Sequence, residues 1–286
     1  MSDAVRSAAG DAWAEWYDRR GVWWGRPEDL TADRLRSWGR EQWLADIVRA
    51  ADLRPGGGVR VLEAGCGTGQ YGLALALQGF VVDALDCNPA ALERARQLAA
   101  RTTGADRAPT LLEGDLLCLP TDTDTYDLVF NQQVMEYFVD EAQRRAALAE
   151  MARTTKPGGK VVVVVARPEH PFARWWRWTG WPGFIDQPAM LEVGADRLTD
   201  ELRAAGLVDV RSDGIGTWKS LTFWPRWYER WAPSRRAVGV MSRWLDHVRL
   251  PRALRRRFGL QLLVVGSKPR TPASRGASSR RTGGPW

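Results

Sequence analysis

Cysteine is scarce. Cys66, Cys87 and Cys118 are the three in a chain of 286 residues, and they stand too far apart for a metal-ligand pattern. A disulfide framework or a zinc site is therefore not expected, no metal is assigned, and a reducing cytoplasm fits the composition. No apolar run approaches the roughly 18 residues that a membrane-spanning helix needs. Met1 to Gly10 lacks the charged-then-apolar order of a secretory signal, and no internal repeat is visible. Acidic residues are missing from 259–286, which carries five Lys/Arg, and 218–258 holds eleven Lys/Arg against two acids. The first 217 residues are net −7, so the overall +7 belongs to a late segment and a tail. Contact with nucleic acid or an anionic membrane can concern those pieces only. An acidic catalytic region would repel a phosphate backbone, which disfavours nucleic acid as a partner.

Tryptophan is also missing from one region. None of the sixteen falls between Leu44 and Arg174; six precede residue 44, four lie from Trp175 to Trp181, five from Trp218 to Trp244, and one is Trp286. The tryptophan-free region has the pattern of an α/β core. Val59–Ala64, Phe80–Asp86, Thr110–Gly114 and Asp127–Asn131 are predicted strands. Lys160–Ala166, with five consecutive valines, is predicted to be a strand buried on both faces. Between them, Tyr71–Gln78, Pro89–Thr102 and Asp140–Thr154 are predicted helices, with Asn88 as N-cap and Pro89 at the first position, and 156–159 is a predicted turn. Arg40–Leu53 shows one apolar helical face. Thr199–Ala205 continues the alternation as a helix, Val208–Arg211 and Leu260–Ser267 as strands. Short links between alternating strands and helices specify a mostly parallel, doubly wound sheet.

Ligands of such a sheet bind beyond the carboxyl ends of its strands. The run VLEAGCGTGQYG, from Val61 to Gly72, ends a strand and places glycines at 65, 67, 69 and 72. Glycine there permits a positive φ and a close backbone approach to a ligand. Gly67, Gly69 and Gly72 alone also fit the dinucleotide pattern G-x-G-x-x-G, so the loop leaves an NAD(P)-dependent reductase open. Its surroundings favour another ligand. Glu63, just before the glycines, suits a cationic amino group better than a pyrophosphate. Asp86 ends the second strand, where an acid can accept both hydroxyls of a ribose. Asp115 follows the third strand, and Asn131 ends the fourth.

The runs VLEAGCGTG, DALDCNPAALERAR, LLEGDLLCLP, TYDLVFNQQVMEYF and KPGGKVVVVV resemble, in order and spacing, the successive motifs of class I methyltransferases that use S-adenosylmethionine (SAM). The resemblance is strong over Arg60 to Ala166. It implies a Rossmann-like α/β fold with a seven-stranded sheet, SAM as methyl donor, and transfer by in-line displacement. It further implies that Glu63 with Gly65, Cys66, Gly67 and Gly69 holds the methionine part, and that Asp86 binds the ribose with Cys87 near the adenine. Asp115 would then bind the adenine amino group, Leu116 line the ring, and Asn131 lie near the carboxylate or sulfonium. Tyr17 resembles the aromatic of an N-terminal element that folds over SAM.

The acceptor side is less defined. Glu136 and Tyr137 follow the fourth strand, where many relatives carry histidine in place of Tyr137. His170 follows the five-valine strand and is the preferred candidate for proton exchange, because imidazole titrates near neutrality. The expected organisation is an aromatic cap over 1–58, a SAM-binding core over 59–217 with a Trp-rich insertion at 167–196, a basic Trp-rich lid at 218–258, a last core strand at 259–268 and a disordered tail at 269–286. The expected activity is methyl transfer to a small aromatic or hydrophobic acceptor, on oxygen, in the cytoplasm. The alternatives are a membrane-resident lipid or isoprenoid acceptor, reached by peripheral contact through 218–258, and the NAD(P)-dependent reductase.

Overall fold

The computed structural model describes residues 30–38, 42–104, 107–167, 170, 174, 178, 191, 193–216 and 250–270. The expectations for Tyr17, for most of the Trp-rich insertion and basic lid, and for the tail lie outside these residues.

Helices α1 (Ala32–Trp38) and α2 (Gln42–Ala50) precede strand β1 (Arg60–Ala64). There follow α3 (Gln70–Ala76), β2 (Val81–Asp86), α4 (Pro89–Thr102), β3 (Thr110–Glu113) and β4 (Tyr126–Gln132). A 3-10 turn at Met135–Tyr137 leads to α5 (Glu141–Thr154), β5 (Thr155–Ala166), α6 (Ala195–Ala204), β6 (Val208–Ile215), α7 (Arg252–Phe258) and β7 (Gln261–Ser267). The seven strands form one sheet in the order β3-β2-β1-β4-β5-β7-β6. Strands β1 to β5 pair in parallel, and β7 runs antiparallel to both β5 and β6. The chain moves outward from β1 to β3, then returns to place β4 on the other side of β1. The gap between β1 and β4 is the switch point of the sheet.

The valine run explains the layers. Val161 to Val165 are all inaccessible to solvent. Successive side chains of a strand point to opposite faces, so Val161, Val163 and Val165 join one core cluster while Val162 and Val164 join the other. The first cluster lies under α5 and α6, with Met151, Leu198 and Leu202. The second lies under α1, α2 and α3, with Leu35, Leu44, Ile47, Leu73 and Leu75. The N-terminal helices thus contribute to the core itself.

Several local predictions meet a physical refinement. Asn88 caps α4 by accepting the N–H groups of Ala90 at 2.9 Å and Ala91 at 3.3 Å, ahead of Pro89. The turn expected at 156–159 falls inside the span of β5. Tyr126 pairs with Thr155 and Leu128 with Lys160, so the four intervening residues, Pro157 among them, form an irregularity in the ladder. Proline has no N–H to give that ladder. Strand β6 extends to Ile215, beyond the expected Arg211, because β7 offers it partners along its length. Helix α7 carries four arginines and no buried residue, so it shows no apolar period to read. The cysteines are free, and among the described residues no cluster of metal-ligating side chains occurs.

One buried ion pair ties the helical layer to the sheet end. Arg144 of α5 is fully buried, and its Nε donates to Glu201 Oε2 of α6 at 2.7 Å while a second nitrogen meets Oε1. Its Nη1 donates to the carbonyl of Phe138 at 2.8 Å, just after the 3-10 turn. Removing one partner of such a pair leaves a buried charge uncompensated, at a cost of about 3–5 kcal/mol. Glu201→Ala is expected to lose that much stability in urea unfolding, and the double change Arg144→Met with Glu201→Leu to recover most of it. Equal losses in the single and double variants would show that the charge pairing is not what holds α5 against α6.

Candidate functional site

The carboxyl end of β1 turns through Gly65, Gly67 and Gly69, with φ of 83°, 53° and 69°. These left-handed values explain the three glycines, because side chains rarely adopt them. Gly65 and Cys66 donate their N–H groups to the carbonyl of Leu85 in β2, at 2.7 and 2.8 Å. The Gly67 N–H donates to Asp86 Oδ2 at 2.7 Å, and the Asn88 N–H donates to Oδ1 at 2.9 Å. The backbone N–H and the thiol of Cys87 also donate to the Asp86 carboxyl. Burial raises the Asp86 pKa, and the Asn88 and Gly67 N–H groups oppose that rise. The Gly114 N–H donates to the Asp86 carbonyl at 3.1 Å. The next residue, Asp115, closes its own turn by accepting the Leu117 N–H at 2.9 Å. The ends of β1, β2 and β3 are thereby joined through Gly67, Asp86 and Gly114.

Glu63 occupies a different position from Asp86. It is buried, and its Oε2 accepts the Gly72 N–H at 2.7 Å. Burial pushes its carboxyl up to about 8, against the pull of that N–H. Burial thus favours the neutral carboxyl, and a nearby cation would favour the charged one. A side chain on Gly72 would stand 2.8 Å from Glu63 Oε2, so the last glycine of the run makes room for the carboxyl and is not needed for a positive φ. Cys66 is buried with its thiol pKa raised, chiefly by desolvation, which leaves it inert at neutral pH. Leu116 is buried in the core and Cys87 is half-buried.

The residues after β4 form a second group. Asn131 is fully buried; its Nδ2 lies 3.5 Å from Met151 Sδ, and its Oδ1 has no hydrogen-bond partner in the protein. Gln132 reaches Gln261 of β7 at 3.4 Å, leaving Oε1 without a partner. Glu136 is buried and accepts the N–H of Ala166, the last residue of β5, at 3.3 Å. Its other oxygen, Oε2, has no partner in the protein. Tyr137 is buried beside it. His170 is also buried, with Nε2 3.2 Å from the carbonyl of Phe258 in α7. Desolvation lowers its pKa, and its partner Phe258 lies three residues before Gln261, which pairs with Ala166 at the carboxyl end of β5. The structure thus joins Gly67, Asp86 and Gly114 directly, and places Glu136 at the end of β5. The described hydrogen bonds do not bring His170 to either group.

The two groups meet at Gly65. A methyl group there would stand 2.6 Å from Val134 Cγ2, so the segment leading to Glu136 rests against the glycine turn. Sequence reasoning passed over Gln70, the first residue of α3. Its side chain is buried with Nε2 unpartnered, directly after the loop. The available signal was a polar residue where the flanking helix is otherwise apolar. Arg144 and Glu201 were passed over as well, because nothing in their local sequence marks charges that will be buried.

Residues 61–159 match the family described as "Methyltransferase domain". Fold, loop and matched segment define the class: the chain carries a class I methyltransferase domain. Among relatives, a malonyl-[acyl-carrier protein] O-methyltransferase of Erwinia pyrifoliae is 35% identical over 109 residues, covering 38% of each chain. A demethylmenaquinone methyltransferase of Clavibacter sepedonicus is 34% identical over 142 residues, which are 49% of this chain and 54% of that one. The chain thus spans about half or less of the length of these relatives. Among solved structures, Haemonchus contortus phosphoethanolamine N-methyltransferase 2 in complex with SAM aligns with a TM-score of 0.55. That alignment covers 94% of this chain and 62% of the other at 16% identity, a likeness of fold.

The contact between Gly65 and Val134 predicts a specific mutational pattern. Gly65→Ala combines a positive φ with a steric overlap, together worth roughly 2–4 kcal/mol. Adding Val134→Ala is expected to recover the steric share and leave the φ strain, as read by thermal and urea unfolding. A double variant no more stable than the single would mean that the glycine is not set by Val134.

Proposed function

We propose that this protein is a SAM-dependent methyltransferase acting on a small, largely apolar acceptor, on oxygen, at the carboxyl ends of β4 and β5. The observation that carries the reading is the Gly67–Asp86–Gly114 linkage beside the switch point, with the Asp86 carboxyl held at the end of β2 by the Gly67 and Asn88 N–H groups. The unpartnered polar atoms fit a zwitterionic ligand: Gln70 Nε2 is a buried donor for a carboxylate, and Asn131 Oδ1 a buried acceptor for an ammonium. The methionine end of SAM has both groups.

When bound, SAM supplies an electrophilic methyl group on a sulfonium. The protein's own part is to bind and align. The glycine turn lets the backbone approach the methionine portion. Asp86 accepts the ribose hydroxyls, Asp115 the adenine amino group, and Leu116 and Cys87 flank the ring. Glu63 ionises as the ammonium approaches and supports the loop through Gly72. Dry walls around the strand ends exclude water and favour an in-line approach. The printed name of one relative, an O-methyltransferase, is compatible with oxygen as the methylated atom, and that of the other, a demethylmenaquinone methyltransferase, supports a small apolar acceptor.

Calorimetry is expected to show binding of SAM and none of NADH. Asp86→Ala is expected to weaken SAM about 10- to 100-fold, the worth of hydrogen bonds to a charged group. NADH binding without SAM binding would return the reductase, and unchanged SAM affinity in the variant would remove Asp86 from the ribose site.

A second reading places the acceptor in a membrane, and α7 favours it. Leu254 and Phe258 are 40% and 41% exposed on a helix that also exposes Arg252, Arg256 and Arg257. Exposed apolar groups beside arginines match an anionic bilayer surface. Among the described residues no helix is long and apolar enough to cross a membrane. The protein is expected to float with anionic vesicles and not neutral ones, and Arg256→Glu with Arg257→Glu to abolish flotation. Flotation that is absent, or indifferent to lipid charge, would leave a free small molecule as the acceptor.

A further inference from the structure

Beyond the glycine loop, the carboxyl end of the sheet holds three buried oxygens without a protein partner: Asn131 Oδ1, Gln132 Oε1 and Glu136 Oε2. They occur within six residues of chain, at the end of β4 and the turn that follows. Buried polar atoms are as a rule hydrogen-bonded, so such a concentration asks for donors from a ligand. Asn131 looks toward α5, where its amide meets Met151, and Gln132 is engaged with Gln261 of β7. Glu136 differs from both. A carboxyl group presents oxygen whichever way it is turned, so its need does not rest on the orientation of an amide.

The backbone shows where Glu136 sits. The Gln133 N–H donates to the Val164 carbonyl at 2.7 Å, the last backbone rung between the segment after β4 and β5. The next strand donor, the Ala166 N–H, is taken by Glu136 Oε1. The side chain therefore replaces a rung of the ladder, in line with the sheet and at its open end. Its backbone carbonyl is held by the Leu191 N–H at 2.7 Å, and Phe138, two residues on, is held by the buried Arg144. Two residues earlier, Val134 rests against Gly65. The carboxyl group is thus fixed on both sides, next to the loop assigned to the methyl donor.

We propose that Glu136 Oε2 receives the hydrogen bond and then the proton of the acceptor, which is therefore a molecule methylated at a hydroxyl group, of the phenol or hydroquinone class. This assignment rests on the methyltransferase reading given above. In the step it describes, the acceptor's O–H bond breaks and its proton passes to Glu136 Oε2. The oxygen's electron pair forms the new bond to the methyl carbon, and the pair of the carbon–sulfur bond leaves with sulfur. The sulfonium becomes a neutral thioether, and the Glu136 proton later passes to solvent. A base works best with its pKa close to the operating pH. Burial pushes the Glu136 carboxyl up to about 7, opposed by backbone N–H groups, with no charged side chain contributing. The titratable and charged groups on the neighbouring described elements are Tyr137 on the same turn, Arg167 and His170 after β5, Asp140 and Glu141 at the start of α5, and the ion-paired Arg144, Glu201 and Arg197 behind the turn. Their charges do not set its titration.

The test uses the whole protein, 2-naphthol and 2-methoxynaphthalene, a pair that differs in the O–H. With SAM present, the wild type is expected to bind 2-naphthol about tenfold or more tightly than the ether, with an affinity that rises as pH increases through about 7. Glu136→Gln, isosteric and without the titration, is expected to bind the two compounds alike and without that pH dependence, while keeping SAM affinity within about threefold. For a hydroxylated acceptor that is turned over, the variant is expected to lose about 100-fold or more in kcat with KM little changed. An infrared band of a protonated carboxyl, present below about pH 7 in the wild type and missing from the variant, reads the same group without any ligand. Equal binding of the two probes by the wild type, or binding of neither, overturns the assignment. A tenfold or greater loss of SAM affinity in Glu136→Gln also overturns it, because the carboxylate then serves the donor's ammonium. If the wild type itself fails to bind SAM, the methyltransferase reading falls instead.

Discussion

A strand that is dry on both faces can carry no chemistry along its length, and that constraint organises this molecule. Val161 to Val165 are closed off from solvent by helices on both sides. A charged or polar side chain among them would need a partner that neither layer offers. Polar function is therefore driven to the end of the sheet, where strands stop and backbone donors and acceptors lose their rungs. At that end the structure concentrates its unpartnered atoms: Gln70, Asn131, Gln132 and Glu136. The same constraint explains why the ladder past β4 is completed by a side chain. Once the backbone leaves the sheet, the Ala166 N–H must find an acceptor, and Glu136 supplies it.

The two sides of the site are built by different means. The donor side is made of backbone. Left-handed glycines at 65, 67 and 69, together with carbonyls and N–H groups from Leu85, Asp86 and Gly114, shape this end of the sheet, and the proposed part of its side chains is to accept hydroxyls and an amine. A site of that kind needs fixed residue types at fixed spacing. The acceptor side is made of side chains whose roles depend on what packs around them. Burial raises the Glu136 pKa and lowers that of His170, whose ring meets the Phe258 carbonyl.

That difference decides what was legible in the chain itself. The order of elements, the doubled burial of the valine strand, the Asn88 cap and the glycine turn all rest on local rules, periodicity, capping and φ, which act within a few residues. Asp86 and Asp115 were legible as strand-end residues, since β2 ends at Asp86 and β3 two residues before Asp115. Arg144 and Glu201 were not legible, because their pairing joins helices 57 residues apart and each alone looks like a solvated helix charge. The preference for His170 followed the intrinsic pKa of imidazole, a solution property that desolvation reverses. Gly72 was read as part of a ligand loop, whereas its lack of a side chain gives room to Glu63. In each case the deciding fact is a tertiary neighbour.

Methyl transfer from a sulfonium asks little of a protein beyond alignment and the exclusion of water, since the donor carries its own leaving group. A protein with that task can keep a nearly invariant means of holding the donor while its acceptor wall varies. The present chain fits that division. Its donor loop is tied to the sheet by backbone bonds that no substitution elsewhere can easily disturb. Glu136, by contrast, hangs on a short 3-10 turn whose position is set by Val134 on one side and by the Arg144 contact to Phe138 on the other. Changes in α5 or α6 would shift that turn without touching Asp86. The buried ion pair is therefore more than a brace between helices. By fixing the turn, it holds a titratable oxygen at the strand ends that is without a hydrogen-bond partner in the protein.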